Sequence, residues 1–130
     1  MARLDRDPDA QGPLVRGFAD GGFMVDERVY RALLLTPRSA AEWRRPEFAE
    51  LGLADLEPLL DLDPAPEFLL LGTGPRLTHP GRALREALQA RGIGLEVMDS
   101  RAAARTWGLL RGEERWIAAA LMPLQGTQPV

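Results

Sequence analysis

The sequence contains no cysteine, no lysine and no asparagine, and its single histidine is His79. Each absence removes a class of chemistry. Without cysteine there is no disulfide, no thiolate metal site, no thiol nucleophile and no redox pair. Without lysine there is no Schiff base and no phosphate-gripping P-loop lysine. All 16 basic residues are arginine, a bias read as codon usage rather than as a device for binding phosphate, although the two side chains differ chemically. One histidine among scattered carboxylates makes no ligand cluster, so no metal and no cofactor are expected. Long apolar runs are missing too. The longest, Trp116–Leu124 and Phe68–Leu71, fall far short of the roughly 20 residues a membrane-spanning helix needs. The first residues lack the apolar core of a signal peptide, and Asp5, Asp7 and Asp9 argue against a mitochondrial presequence, so the expected address is the cytoplasm.

What is present is ordinary globular usage. At 45% hydrophobic and 27% charged, the 130 residues suffice for one domain, which buries roughly two thirds of its unfolded surface. A net charge of −3 gives no general attraction to nucleic acid or to anionic lipid, so no nucleic-acid partner is expected.

Residues 1–12 are polar and read as a flexible tail, and residues 124–130 as a second one, leaving a single domain over 13–123. Leu14–Phe18, Phe23–Val25 and Val29–Leu35, separated by Asp20-Gly21 and Asp26-Glu27, predict a three-strand antiparallel meander closed by Pro37. Ser39-Ala40-Ala41-Glu42 has the spacing of a capping box and predicts a short helix ended by Pro46. A second short helix is expected over 54–61, with Asp55 as N-cap and Pro58 in its first turn. Beyond Pro64-Ala65-Pro66 the pattern is β-α-β-α-β: strand Glu67–Leu71, helix 80–91 stopped by Gly92, strand Leu95–Met98, helix 100–111 stopped by Gly112, strand Arg115–Met122. The expected fold is a three-layer α/β domain with a mixed central sheet that the meander extends.

Three ordered stretches carry a family likeness. The first is Gly22-Phe23-Met24-Val25 with Tyr30, Leu33–Leu35, Pro37 and Trp43; the second is Phe68–Gly74. The third runs from Gly92-Ile93 to Leu121 and contains Val97-Met98-Asp99-Ser100, Ala103, Thr106, Leu110, Glu113, Arg115 and Ala118–Leu121. Together they resemble the domain-of-unknown-function 498 family, in which this chain reads as a bacterial member. The family's eukaryotic members include a respiratory complex I assembly factor and an adipogenesis-associated protein. The resemblance implies a three-layer α/β fold and no established reaction. Two departures stand out: Asp99-Ser100 where the family often has aspartate-threonine, and Gly108 where it often has asparagine after an aromatic residue.

Gly72-Thr73-Gly74-Pro75-Arg76 lies between a strand and a helix, where backbone amides can receive an anion. Its spacing is neither a dinucleotide fingerprint nor a P-loop, and two glycines in a tight turn explain it as well. Asp99 and Ser100 read first as helix-capping groups. If strands 67–71 and 95–98 are parallel neighbours, however, Asp99 joins the 72–74 loop in a crevice of the kind where open α/β sheets bind ligands. The candidate ligand residues are Gly72, Thr73, Gly74, Arg76, Asp99, Ser100 and Arg105. A set of Ser100, His79 and Asp99 lacks the spacing of a hydrolase, and no catalytic residue is assigned.

Arg101, Arg105, Arg111 and Arg115 flank the last helix together with Asp99, Glu113 and Glu114, and Arg115 is expected to pair with Glu113. A solvated charge network is the plain explanation. Arg101, Arg105 and Trp107 are nonetheless candidate interface residues, because arginine and tryptophan anchor partner surfaces. Two functions follow. One is a non-enzymatic assembly or adaptor protein whose partner is another protein, by resemblance a respiratory or membrane-complex subunit, with weak self-association as a further partner reading. The other is a small-anion-binding module, or minor enzyme, using the crevice at 72–74 and Asp99.

Overall fold

The computed structural model describes residues 12–125. Turn chemistry sets its beginning. Asp20 and Gly21 both have positive φ, 54° and 75°, which makes the two-residue hairpin between β1 (Val15–Ala19) and β2 (Gly22–Val25). Asp26, with φ 56°, begins the turn into β3 (Arg28–Tyr30). The three strands form an antiparallel sheet of their own, ordered β1-β2-β3.

The expected third strand breaks at Arg31-Ala32. The Glu42 carboxylate accepts both of their N–H groups, at 3.3 and 3.1 Å, and the chain restarts as β4 (Leu33–Thr36) in a second sheet. The meander therefore does not extend the central sheet. Ser39–Glu42 is not a helix either; it is β5, paired with β4 through a Pro37-Arg38 turn. The groups expected to cap a helix serve the hairpin instead. The Ser39 and Thr36 hydroxyls lie 2.8 Å apart, and the Arg38 N–H donates to Thr36 Oγ1 at 3.1 Å.

A 3-10 turn at Leu53–Leu56 runs into α1 (Glu57–Leu60), whose first turn holds Pro58. Asp55 acts from inside the turn, accepting the Gly52 N–H at 2.9 Å, and is not the N-cap. The second half follows the expected order: β6 (Phe68–Gly72), α2 (Arg82–Ala90), β7 (Gly94–Met98), α3 (Ser100–Gly112) and β8 (Ala118–Leu121). α2 starts later than Pro80, with Gly81 at its N-cap, and buries Leu84 and Leu88 while Ala83 is exposed. β8 is shorter than the expected strand over Arg115–Met122.

The five-stranded sheet has the order β5-β4-β8-β6-β7, with β6 parallel to both β7 and β8, and β4 antiparallel to β5 and β8. Alternation along the strands divides the core. Leu34, Leu69, Leu71, Ala118 and Ala120 pack with α1, α2 and Trp43 on one face. Leu33, Leu35, Leu70, Ala119 and Leu121 pack with α3 and the three-stranded sheet on the other. The result is three layers. The central strand β8 is nearly all alanine and wholly buried, a choice against strand propensity. Small side chains there leave room for large ones from the covering layers, above all Trp107, which is fully buried. Leu124, expected to open a tail, is buried in the same cluster. The expected tail residues 1–11 and 126–130 lie outside the described residues.

Candidate functional site

The parallel pairing of β6 with β7 sets Gly72 beside Met98, so the carboxyl ends of the two strands adjoin as the sequence pattern implied. The crevice between them is closed by hydrogen bonds. The Thr73 N–H donates to the Met98 carbonyl at 2.9 Å, and the Ser100 N–H to the Gly74 carbonyl at 2.8 Å. Ser100 Oγ accepts the Gly74 N–H at 2.8 Å and donates to the Met122 carbonyl at 2.7 Å. Ser100 is thus a buried strand tie rather than a cap, and its hydroxyl proton is not available to a nucleophile's role. Asp99 does cap α3, accepting the Ala102 N–H at 2.9 Å. Thr73 Oγ1 donates to the Arg76 carbonyl at 2.7 Å and accepts the Thr78 N–H at 3.0 Å, folding the loop on itself.

Gly72 is required by this closure: a Cβ there would sit 2.8 Å from both Ser100 Oγ and a Leu121 methyl. Gly74 is required by its φ of 105°. At the centre of the expected anion cradle, the Thr73 and Gly74 amides are committed to the fold and Pro75 has no N–H. α2 begins only at Arg82, so its dipole does not open on the Gly72–Gly74 turn. Arg76 and His79 are exposed in the intervening loop.

Open space lies on the other side of the same turn. A cleft of about 250 Å³ is lined by Thr73, Gly74 and Pro75, by Met122 and Pro123 after β8, and by Arg45, Glu47 and Phe48. Gly72, Arg76, Asp99, Ser100 and Arg105 do not line it. Arg45 and Glu47 stand 3.9 Å apart at its rim. Sequence reasoning missed Arg45, Glu47 and Phe48, because they lie between β5 and α1 and meet the ends of β6 and β8 only through the sheet order.

On α3, Arg101 and Arg105 are exposed as expected. The Arg101 guanidinium stacks over the Phe18 ring, 4.8 Å from its centroid. Arg105 lines a pocket of about 150 Å³ at the seam of β1 and α3, with Arg16, Val15, Phe18 and Ala104. Trp107 is not a surface anchor. It points inward from α3, and its indole N–H donates to the Pro13 carbonyl at 2.9 Å. Leu109, which drew no notice in the sequence, is 68% exposed, the most of any large apolar side chain among the described residues.

Arg115 pairs with Glu67 at 2.7 Å, not with Glu113, because the chain between α3 and β8 runs alongside the start of β6. The hydrogen bond from Arg115 holds the Glu67 carboxyl below its ordinary range, and the same bond raises the Arg115 pKa. Arg111 is buried and donates to the Arg115 carbonyl; burial lowers its pKa.

A three-layer α/β domain with a separate antiparallel sheet over one helix defines the class of fold. Within that class the chain belongs to the family described as protein of unknown function DUF498/DUF598, which it matches over residues 15–122. It is 32% identical over 126 residues to an uncharacterized protein of Rhodobacter capsulatus, covering 95% of this chain and 96% of that one. It is 28% identical over 126 residues to NADH dehydrogenase (ubiquinone) 1 alpha subcomplex assembly factor 3 of Xenopus tropicalis, covering 96% of this chain and 68% of that protein. For the Danio rerio assembly factor 3 the match covers 65% of that protein's length, so this chain spans about two thirds of the assembly-factor relatives. A Bordetella parapertussis crystal structure superposes with a TM-score of 0.77 at 34% identity, covering 85% of this chain and 95% of that one. A Mth938-like domain of Bordetella pertussis gives 0.78 at 28% identity, covering 96% and 94%. Among the described residues no helix is long and apolar enough to cross a membrane.

Proposed function

We propose that this protein acts by holding another protein, as a non-enzymatic adaptor or assembly factor whose partner is a subunit of a respiratory or membrane complex. The observation that carries the reading is the outer side of α3. There the Arg101 guanidinium lies over the Phe18 ring, and Arg105 and Arg16 line the pocket that Phe18 also lines, while the inner side of the same helix is buried. Three arginines at one seam, one of them stacked on an aromatic ring, suit an acidic partner surface with an apolar or aromatic anchor. The crevice, by contrast, commits its polar groups to the fold. The names of the eukaryotic relatives support an assembly role.

A second reading is supported by the cleft beside Thr73 and Gly74, which takes a small anionic ligand with an apolar body against Arg45, Phe48 and Met122. The two are separated by one comparison. A ligand raises the melting temperature with the logarithm of its concentration above Kd. The adaptor reading predicts a flat response to phosphates, nucleotides and carboxylates, with capture of a protein that weakens as salt rises. A saturable thermal shift lost in Arg45→Ala would overturn it in favour of the cleft.

A further inference from the structure

The outer side of α3 carries more than its arginines. Leu109 stands in its last turn, 68% exposed. Arg105 lies one turn before it and Glu113 directly after the helix, one turn beyond, both exposed. Helical spacing of four puts all three within a narrow strip. The residues flanking that strip are small: Ala102, Thr106 and Gly112. A Cβ built at Gly112 meets no atom within 4 Å, and the same holds for Gly108. Glycine inside a helix costs about 1 kcal/mol relative to alanine, and the space beside Gly108 is open.

This strip is complementary to itself. A two-fold axis passing beside Leu109 runs two copies of α3 antiparallel, with Leu109 against the partner's Leu109. Because Arg105 and Glu113 are equally spaced on either side of Leu109, the operation sets each Arg105 level with the partner's Glu113. One apolar contact is then flanked by two reciprocal ion pairs, the arrangement an isologous interface requires. Small flanking residues let the helices approach within the usual 8–10 Å. A parallel pairing would instead oppose Arg105 to Arg105 and Glu113 to Glu113.

We infer that the chain self-associates through the outer side of α3, as an antiparallel two-fold dimer centred on Leu109. The inference rests on the reading of this side of α3 as a contact surface, and it names a second copy of this chain as an occupant. The strip on one 13-residue helix is smaller than the roughly 800 Å² per partner of a standard stable interface, so the dimer is weak and concentration-dependent.

Sedimentation velocity on the whole chain, from about 10 µM to about 1 mM, is the test. Wild type is expected to shift from monomer toward dimer across that range. Leu109→Asp should remain monomeric. Arg105→Glu and Glu113→Arg should each weaken association at least about tenfold, by opposing like charges. An equimolar mixture of these two single variants should associate again, because every contact in the mixed dimer joins Glu to Arg. The three positions are exposed, and circular dichroism establishes that each variant is folded. Arg101→Glu should leave the dimer unchanged, since Arg101 is turned toward Phe18. A monomeric wild type throughout the range overturns the inference, as does a Leu109→Asp variant that dimerises like wild type, or a mixture that fails to recover. A monomeric wild type that still captures another protein through Arg101 would remove self-pairing and leave the adaptor reading standing.

Discussion

Ser100 and Gly74 are joined in both directions: the Ser100 N–H donates to the Gly74 carbonyl, and the Ser100 hydroxyl accepts the Gly74 N–H, each at 2.8 Å. Through its third bond, to the Met122 carbonyl at 2.7 Å, the same residue ties the ends of β6, β7 and β8 together. Replacing Ser100 with alanine leaves the Gly74 amide and the Met122 carbonyl buried without this partner. The expected loss is about 2 kcal/mol, read from urea unfolding, against about 1 kcal/mol for Asp99→Ala, which removes only an ordinary cap. Equal effects would mean that Ser100 is no more than a helix-start residue.

Two glycines should respond to alanine with opposite signs. At Gly72 the new methyl meets Ser100 Oγ and Leu121 at 2.8 Å, and overpacking of this kind costs about 1–3 kcal/mol. At Gly108, inside α3 and with no atom within 4 Å, alanine should stabilise by about 1 kcal/mol. Melting curves of the two variants decide it. A destabilised Gly108→Ala would show that α3 needs the glycine for a reason internal to the chain.

The second half of the fold was legible because each signal there is local and repeated. The apolar run at Phe68–Leu71, the Leu84–Leu88 spacing and the stop at Gly92 all point the same way, and the structure agrees with them. Ser39–Glu42 was misread because a capping box and a short hairpin strand share polar groups at the same spacing. What decided between them is the pairing of β4 with β5 and the reach of Glu42 to Arg31 and Ala32, which no local pattern displays. The adjacency of Gly74 to Asp99-Ser100 was legible from strand order. That hydrogen bonds fill the space between them was not, nor was the cleft that Arg45 and Phe48 form behind it.

Trp107 belongs to the core by packing, not to a partner surface. Trp107→Ala should cost about 3–5 kcal/mol, since it opens a large cavity over β8, and Trp107→Phe less, with the indole hydrogen bond to Pro13 lost. Denaturant titrations measure both. A Trp107→Ala protein as stable as wild type would place the indole outside the core.

The Glu67–Arg115 pair gives a pH signature of known sign. The folded state holds the Glu67 carboxyl below its ordinary value of 4.5. Its stabilising contribution is therefore complete above that value and is lost as pH falls through the lower folded pKa. Wild type should exceed Glu67→Gln in melting temperature near neutrality, by a small margin fitting an exposed pair, and the gap should close below pH 4.5. A gap independent of pH would assign the difference to packing rather than charge.

The proposed adaptor role rests on contacts made by the outer side of α3. The most direct measurement is quantitative capture of proteins from lysate by three folded proteins: wild type, Arg101→Glu/Arg105→Glu, and Glu47→Arg at the rim of the cleft. Surface charges of this kind contribute little to stability, so all three should fold alike by circular dichroism. Specific capture should persist in Glu47→Arg and fall sharply in the α3 double variant, with the difference largest at low salt. Capture unchanged in the α3 variant and lost in Glu47→Arg would overturn the adaptor surface on α3 and move the working surface to the cleft.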